Sequence, residues 1–260
     1  MWLNLKYIKG FYMSLGMFCA IPLPYHFWDE KYAALMVASI PLIGIIVGVL
    51  WWLATVLLMG VGTPLMMTAA ILTLVPFYIA GFIHLDGYMD TSDALLSYRP
   101  LEDKLRILKD PHVGSFAVVM LAILFLLQFA AIYTIAESGR FLALLIAVPV
   151  ISRCCSALSI LTLHHMPQSN YVSMLAQNIG TSHKIFVILV AVAAVAFSFM
   201  YARSIGLIVS AAVIFGHAGA MTKAFKGFKG ISGDLLGYSL VIGELCGLIA
   251  LALLQNMRWV

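Results

Sequence analysis

Three aspartates stand within eight positions in His84-Leu85-Asp86-Gly87-Tyr88-Met89-Asp90-Thr91-Ser92-Asp93, in a chain with only 11 acidic residues among 260. On a helix turning ~100° per residue, Asp86, Asp90 and Asp93 fall at i, i+4 and i+7, within about 60° of one another. Three like charges on one face repel, and a divalent cation holds them together. Hard oxygen ligands at this spacing suit Mg²⁺, which takes a few carboxylates and completes its shell with substrate phosphates and water. The alternative is a solvated polar loop, but loops seldom align their charges at helical spacing. Asp110 and Asp234 bring the available carboxylates to four or more, enough for a second metal.

Basic and glycine-rich segments supply complementary donors. Lys226-Gly227-Phe228-Lys229-Gly230-Ile231-Ser232-Gly233-Asp234 interleaves lysines with glycines and offers backbone N–H groups, and Ser232 or Asp234 is placed to cap a following helix. Phosphate binding by Lys229 and Gly233 and a plain glycine hinge fit this composition equally well. Leu101–Lys109 reads as a short amphipathic helix lying on lipid headgroups, with Leu101, Leu105 and Leu108 on one face. Its charged face, with Arg106 and then Lys109, is a further candidate contact for substrate. Pro100 and Asp110-Pro111 bound it.

The elements that must position these groups are membrane helices. Hydrophobic residues make up 63% of the chain and charged residues 10%, against about 25% charged in soluble domains. Mean hydropathy is +1.03. The expected fold is all-α, a single polytopic bundle over 1–260 with about seven transmembrane helices and active-site loops on the cytoplasmic side. Spans are expected near Ala33–Leu58, Thr63–Phe82, Gly114–Ile135, Phe141–Leu163, Ile185–Tyr201, Ser204–Met221 and Leu235–Leu254. Phe11–Phe27 contains Pro22 and Pro24 and reads as interfacial or re-entrant, and it lacks the pattern of a cleaved signal peptide.

Basic residues orient the bundle. With the N-terminus in the cytoplasm, the inner side carries Lys6, Lys9, Lys31, Arg99, Lys104, Arg106, Lys109, Lys184, Lys223, Lys226 and Lys229, and the outer side carries Arg140, Arg203 and Arg258. That asymmetry follows the positive-inside rule and puts the aspartates at the cytoplasmic face. The net charge of +4 thus reports topology and an anionic substrate; without a basic arm or an aromatic stacking platform, nucleic acid is not an expected partner. Three inner loops, His84–His112, His164–Lys184 and Thr222–Asp234, hold most of the polar chemistry. Four cysteines with no CxxC pair support neither zinc nor a disulfide framework, and the pair His164-His165 reads as loop.

Arg153 and Glu244 lie inside expected spans, where an isolated charge costs roughly 2.5–3.5 kcal/mol. They must face each other or a polar cavity, so Glu244 is at once a structural partner and a candidate substrate contact. No catalytic-triad signature, phosphate loop or dinucleotide fingerprint occurs. The combination fits Mg²⁺-dependent phosphoryl transfer from an activated diphosphate to a hydroxyl. A CDP-alcohol-type membrane phosphotransferase shares an Asp-Gly run of aspartates, but no Ala-Arg follows Asp86-Gly87. A secondary transporter is the remaining alternative, motivated by Arg153, Glu244 and the glycine-broken segments.

Three separated motifs together resemble the cobalamin synthase family, the adenosylcobinamide-GDP ribazoletransferases. They are His84-Leu85-Asp86-Gly87 with Asp90-Thr91 and Asp93; Leu108-Lys109-Asp110-Pro111 with Gly114 and Phe116; and Ser232-Gly233-Asp234 with Gly237. Phe18-Cys19-Ala20-Ile21-Pro22-Leu23-Pro24 resembles the family's early segment, with Ala20 where many members carry arginine. Tyr238 and Val241 depart from the family's final motif, while Glu244 keeps its last acid. The resemblance implies a multi-pass enzyme of the bacterial or archaeal cytoplasmic (inner) membrane, with its active site facing the cytoplasm. It implies transfer from adenosylcobinamide-GDP to α-ribazole or its 5′-phosphate, release of GMP, and Mg²⁺ as cofactor, with an oligomer left open. Carried onto this chain, Asp86, Asp90 and Asp93 form the metal and diphosphate site with Asp110 as an additional ligand. His84 and Lys109 are candidates to contact phosphate or assist the ribazole hydroxyl, and Asp234 closes the site.

Overall fold

The computed structural model describes residues 2–166 and 180–255. Among the described residues, nine helices follow in order: α1 Trp2–Phe18, α2 Ala33–Gly60 after a 3₁₀ turn at Glu30–Tyr32, α3 Leu65–Ile79, α4 Ile83–Leu96, α5 Leu101–Ile107, α6 Ser115–Ser138, α7 Leu144–Thr162, α8 Thr181–Phe228 and α9 Gly233–Leu254. No strand is present among the described residues beyond an isolated bridge between His165 and Ile231.

Among the described residues, five helices are long and apolar enough to cross a membrane, and the bent pair α3–α4 makes a sixth. α8 has 48 residues, roughly 70 Å of helix and twice what one crossing needs. It breaks at Arg203, whose φ of 51° and ψ of −130° are non-helical. The chain turns there so sharply that a Cβ on Gly206 would overlap the Ser198 carbonyl. The arms 181–202 and 204–228 therefore match the two spans expected from the sequence. Counting them separately restores seven.

Helices in lipid must satisfy their backbone groups internally and approach closely without a hydrophobic drive between them. Gly44 and Gly48, a small-xxx-small pair on α2, meet α7 backbone directly: ideal Cβ atoms would lie 2.7 Å from Pro149 O and 2.6 Å from Ile146 O. On α3, Pro76 has no N–H for the Leu72 carbonyl four residues back. The buried indole of Trp51 donates to that carbonyl at 2.9 Å. Gln128 of α6 donates to the neighbouring Thr73 carbonyl at 3.0 Å. These two polar side chains tie α2, α3 and α6 together where α3 is weakest.

α3 ends in a glycine stop. Phe82 N–H donates to Phe77 O at 2.9 Å and Gly81 N–H to Tyr78 O at 3.2 Å, with Gly81 at φ +66° as that closure requires. The chain then bends by 94° into α4. The expected span Thr63–Phe82 is thus correct as far as Ile79, and the aspartates lie on a separate, sharply turned helix.

The polar loops converge on one end. Ile231 N–H donates to His164 O at 3.0 Å and Met166 N–H to Ile231 O at 3.1 Å, joining the end of α7 to the α8–α9 connection. α5 packs on α4 and on α8. At the opposite end Arg140 donates to Gln255 O at 3.0 Å, and Phe141 meets Tyr201 edge to face. Arg140 and Arg203, both expected outside, thus share the end away from the aspartates, while Arg258 and much of the expected loop His164–Lys184 lie outside the described residues.

Two expectations change. The loop Thr222–Asp234 is mostly helix, because α8 continues to Phe228. Ala224 and Phe228 are buried, and Gly227 lets Leu95 of α4 approach to 2.8 Å of an ideal Cβ; packing outweighs the loop-like Lys/Gly composition. Within Phe11–Phe27, α1 runs to Phe18 along α2, and the chain is non-helical through Pro22 and Pro24.

Candidate active site

The first turns of α4 and α9 cross in backbone contact. A Cβ on Gly87 would lie 2.7 Å from Asp234 Cα, and one on Gly237 would lie 3.0 Å from His84 O. Two glycines, one per helix, remove the side chains that would hold the helices apart. The crossing sets Asp234 beside the Asp86–Asp90 face of α4. Ser232 caps α9, its Oγ accepting from Leu235 N–H at 3.4 Å. Both helix N-termini, with their positive dipole ends, lie within about a turn of the crossing.

Asp90 is half-buried and Asp86 exposed. Negative charge on Asp86, Asp93 and Asp234 bears on Asp90, and that on Asp86 bears on Asp234. Asp93 has a second engagement. Gly114, the N-cap residue of α6, has no side chain to accept a free N–H; the Asp93 carboxylate occupies the place where its Cβ would stand and accepts from Ala117 N–H at 3.3 Å. Asp93 thus caps α6 from α4.

Among the described residues no three His, Cys, Asp or Glu side chains converge closely enough, as they stand, to hold a metal ion. Mg²⁺ usually draws one or two carboxylates from the protein and its other ligands from substrate phosphates and water. One or two of the hard oxygen donors Asp86, Asp90 and Asp234 meet that requirement.

The other expected residues are placed differently. Asp110 stands exposed beyond α5 and accepts from His112, at 2.9 Å from its backbone N–H and 2.7 Å from Nδ1. These bonds hold its carboxyl below the usual carboxylate range. Arg106 is exposed and paired with Asp103 at 3.2 Å. Lys109, Lys229 and Gly233 are exposed, Lys229 in the left-handed conformation that ends α8. Glu244 is buried deep in the bundle: its Oε1 accepts from Arg153 Nη1 and Ser152 Oγ, both at 2.7 Å. The structure therefore gives Glu244 a structural partner in place of a free carboxylate, and the two charges that argued for a transporter are bonded to each other.

Beside the crossing lies a cavity of about 230 Å³, lined by Asp86 and Asp234 together with Phe18, His84, Ser156 and Ile160 among others. The Phe18 and His84 rings are nearly parallel, with centroids 6.2 Å and planes 13° apart. Ser156 lines this cavity, and sequence reasoning missed it. Its signal was present, since Ser152, Ser156 and Ser159 recur at i, i+4 and i+7 on α7 beside Arg153. A larger groove of about 710 Å³ between α1, α2 and the start of α8 holds Lys6, Lys31 and His183 but none of the aspartates.

A bundle of membrane-crossing helices with clustered carboxylates and a cavity at a tight helix crossing defines a multi-pass membrane protein with an enzyme-like site. Residues 10–252 match the family model described as cobalamin-5-phosphate synthase. Over 246 residues the chain is 38% identical to the adenosylcobinamide-GDP ribazoletransferase of Clostridium botulinum (strain Alaska E43 / Type E3), covering 94% of this chain and 97% of that protein. The enzyme of the same name from Clostridium perfringens (strain SM101 / Type A) is 36% identical over 250 residues, 95% of this chain and 99% of the relative. The one from Lachnoclostridium phytofermentans is 29% identical over 266 residues, 97% of each chain. No solved structure matches. The chain belongs to the cobalamin-5-phosphate synthase family, and is a transferase of cobalamin biosynthesis.

Proposed function

We propose that the chain performs the last step of cobalamin nucleotide-loop assembly, transferring the phosphoadenosylcobinamide group of adenosylcobinamide-GDP to α-ribazole or its 5′-phosphate. The relatives named as adenosylcobinamide-GDP ribazoletransferases support the substrates. The observation that carries the reading is the meeting of Asp86, Asp90 and Asp234 where Gly87 and Gly237 let α4 and α9 touch.

With α-ribazole as acceptor, the ribose hydroxyl oxygen bonds to the phosphorus that bears the cobinamide, and that phosphorus loses its bridging oxygen to GMP. The hydroxyl proton is released and the product is a phosphodiester. Carboxylates drawn from Asp86, Asp90 and Asp234 would hold Mg²⁺, which would supply positive charge to the diphosphate and the departing GMP. The helix N-termini at the crossing favour the same anion. Lys109 and Lys229 offer further charge from the exposed loops at this end. Basic residues gathered there favour a cytoplasmic-facing site in the inner membrane.

Mass spectrometry of the purified protein with adenosylcobinamide-GDP, α-ribazole and Mg²⁺ tests this. Cobalamin and GMP are expected together, and both are expected to vanish when EDTA removes the metal. Turnover of a CDP-alcohol donor with none of adenosylcobinamide-GDP would reject the reading.

A further inference from the structure

We propose that the cavity beside the α4–α9 crossing binds the aromatic base of the acceptor, holding α-ribazole base-down in the bundle with its ribose at the carboxylates. This deepens the transferase reading and rests on it. The walls come from five helices: Phe18 of α1, Ile40 of α2, His84 of α4, Ile160 of α7, and Leu236 and Leu240 of α9. Asp86, Gly233 and Asp234 line the same cavity, so a molecule filling it reaches the diphosphate site.

Two buried polar atoms that line it, His84 Nε2 and Ser156 Oγ, have no hydrogen-bond partner among the described residues. Buried polar atoms are nearly always paired, so two orphans together mark a place where a ligand or water completes the bonding. The chemistry offered is an apolar slot with one polar patch.

Among the groups the two substrates carry, one fits. The base of α-ribazole is a dimethylated benzimidazole: flat, apolar at its edges, with a single ring nitrogen left to accept a hydrogen bond. Ser156 Oγ–H, or His84 Nε2–H in that tautomer, donates to it. Guanine, and likewise the adenine of the adenosyl group, would set several donors and acceptors against leucine and isoleucine, leaving most of them unpaired. The corrin ring is far too large for about 230 Å³.

Two variants and one analogue test the proposal in membranes where the unaltered protein makes cobalamin and GMP. Ile160→Phe shrinks the slot and is expected to raise the KM for α-ribazole by about tenfold, with the KM for adenosylcobinamide-GDP unchanged. Ser156→Ala, which removes an oxygen without adding bulk, is expected to raise the same KM about fivefold. The indole riboside, which lacks the accepting nitrogen, should bind the unaltered protein more weakly and be insensitive to Ser156→Ala. A rise in donor KM instead, or no change in acceptor KM in either variant, overturns the assignment and leaves the transferase reading standing. Failure of the unaltered protein to form cobalamin would reject both, and is read in the control itself.

Discussion

Gly87 on α4 and Asp234 on α9 are in van der Waals contact through their backbones, with an ideal Gly87 Cβ only 2.7 Å from Asp234 Cα and 2.8 Å from Asp234 O. The glycine following Asp86 therefore serves geometry: it lets a carboxylate from the far end of the chain join those of α4. Gly87→Ala must push α9 away at its first turn. Overpacking of this kind costs about 1–3 kcal/mol, so the variant should still insert while turnover falls at least tenfold. A thermal melt in detergent alongside an activity assay checks both, and unimpaired turnover would show that the crossing is not needed.

Asp86, Asp90 and Asp93 share a helical face, and Asp93 also caps α6. Asp86→Asn and Asp90→Asn should abolish turnover at any Mg²⁺ concentration tried, since an amide keeps the shape and loses the charge a hard cation needs. Asp93→Asn retains an oxygen that can accept from Ala117 N–H and should keep more activity than either. Asp93→Ala leaves the start of α6 uncapped and should lower stability by about 1 kcal/mol. Equal loss of activity in all three asparagine variants would return Asp93 to the metal site.

The Arg153–Glu244 pair, at 2.7 Å and almost fully buried, gives a stability prediction. Removing one partner strands a charge, so Glu244→Leu should cost about 3–5 kcal/mol, whereas Arg153→Met with Glu244→Leu should regain most of it. Thermal unfolding of the single and double variants in detergent provides the comparison. A double variant no more stable than the single would mean that Arg153 or Glu244 has other partners that matter more.

Lys109 and Lys229 are exposed at the aspartate end. If they gather the anionic donor, Lys109→Ala and Lys229→Ala should each raise the KM for adenosylcobinamide-GDP severalfold, leave kcat nearly unchanged, and weaken the dependence of the rate on salt. Initial rates over a range of donor and salt concentrations decide it. An unaltered donor response would leave both as anchors to the lipid surface.

Composition and hydropathy period alone implied the class of fold, because a membrane imposes length and apolarity on each span regardless of its neighbours. The break in α8 fell where Arg203 interrupts the apolar run, and Asp86 and Asp90 were legible as one helical face because helical spacing is local. Less local features were hidden. The run Thr222–Phe228 looked like loop by its lysines and glycines, yet Ala224 and Phe228 had a core to join.

What sequence by itself determined was the multi-pass bundle, the concentration of polar chemistry at one end and a set of carboxylates at helical spacing, since each follows from residue type and near spacing. What only tertiary structure decided was their division of labour. Asp93 caps α6 because Gly114 cannot cap itself, Glu244 is held by Arg153 and Ser152, Asp110 is held by His112, and Ser156 borders a cavity with Asp86. Those outcomes depend on which helices meet and at what depth, and contacts between residues far apart in the chain leave no period for a reader of one sequence to find.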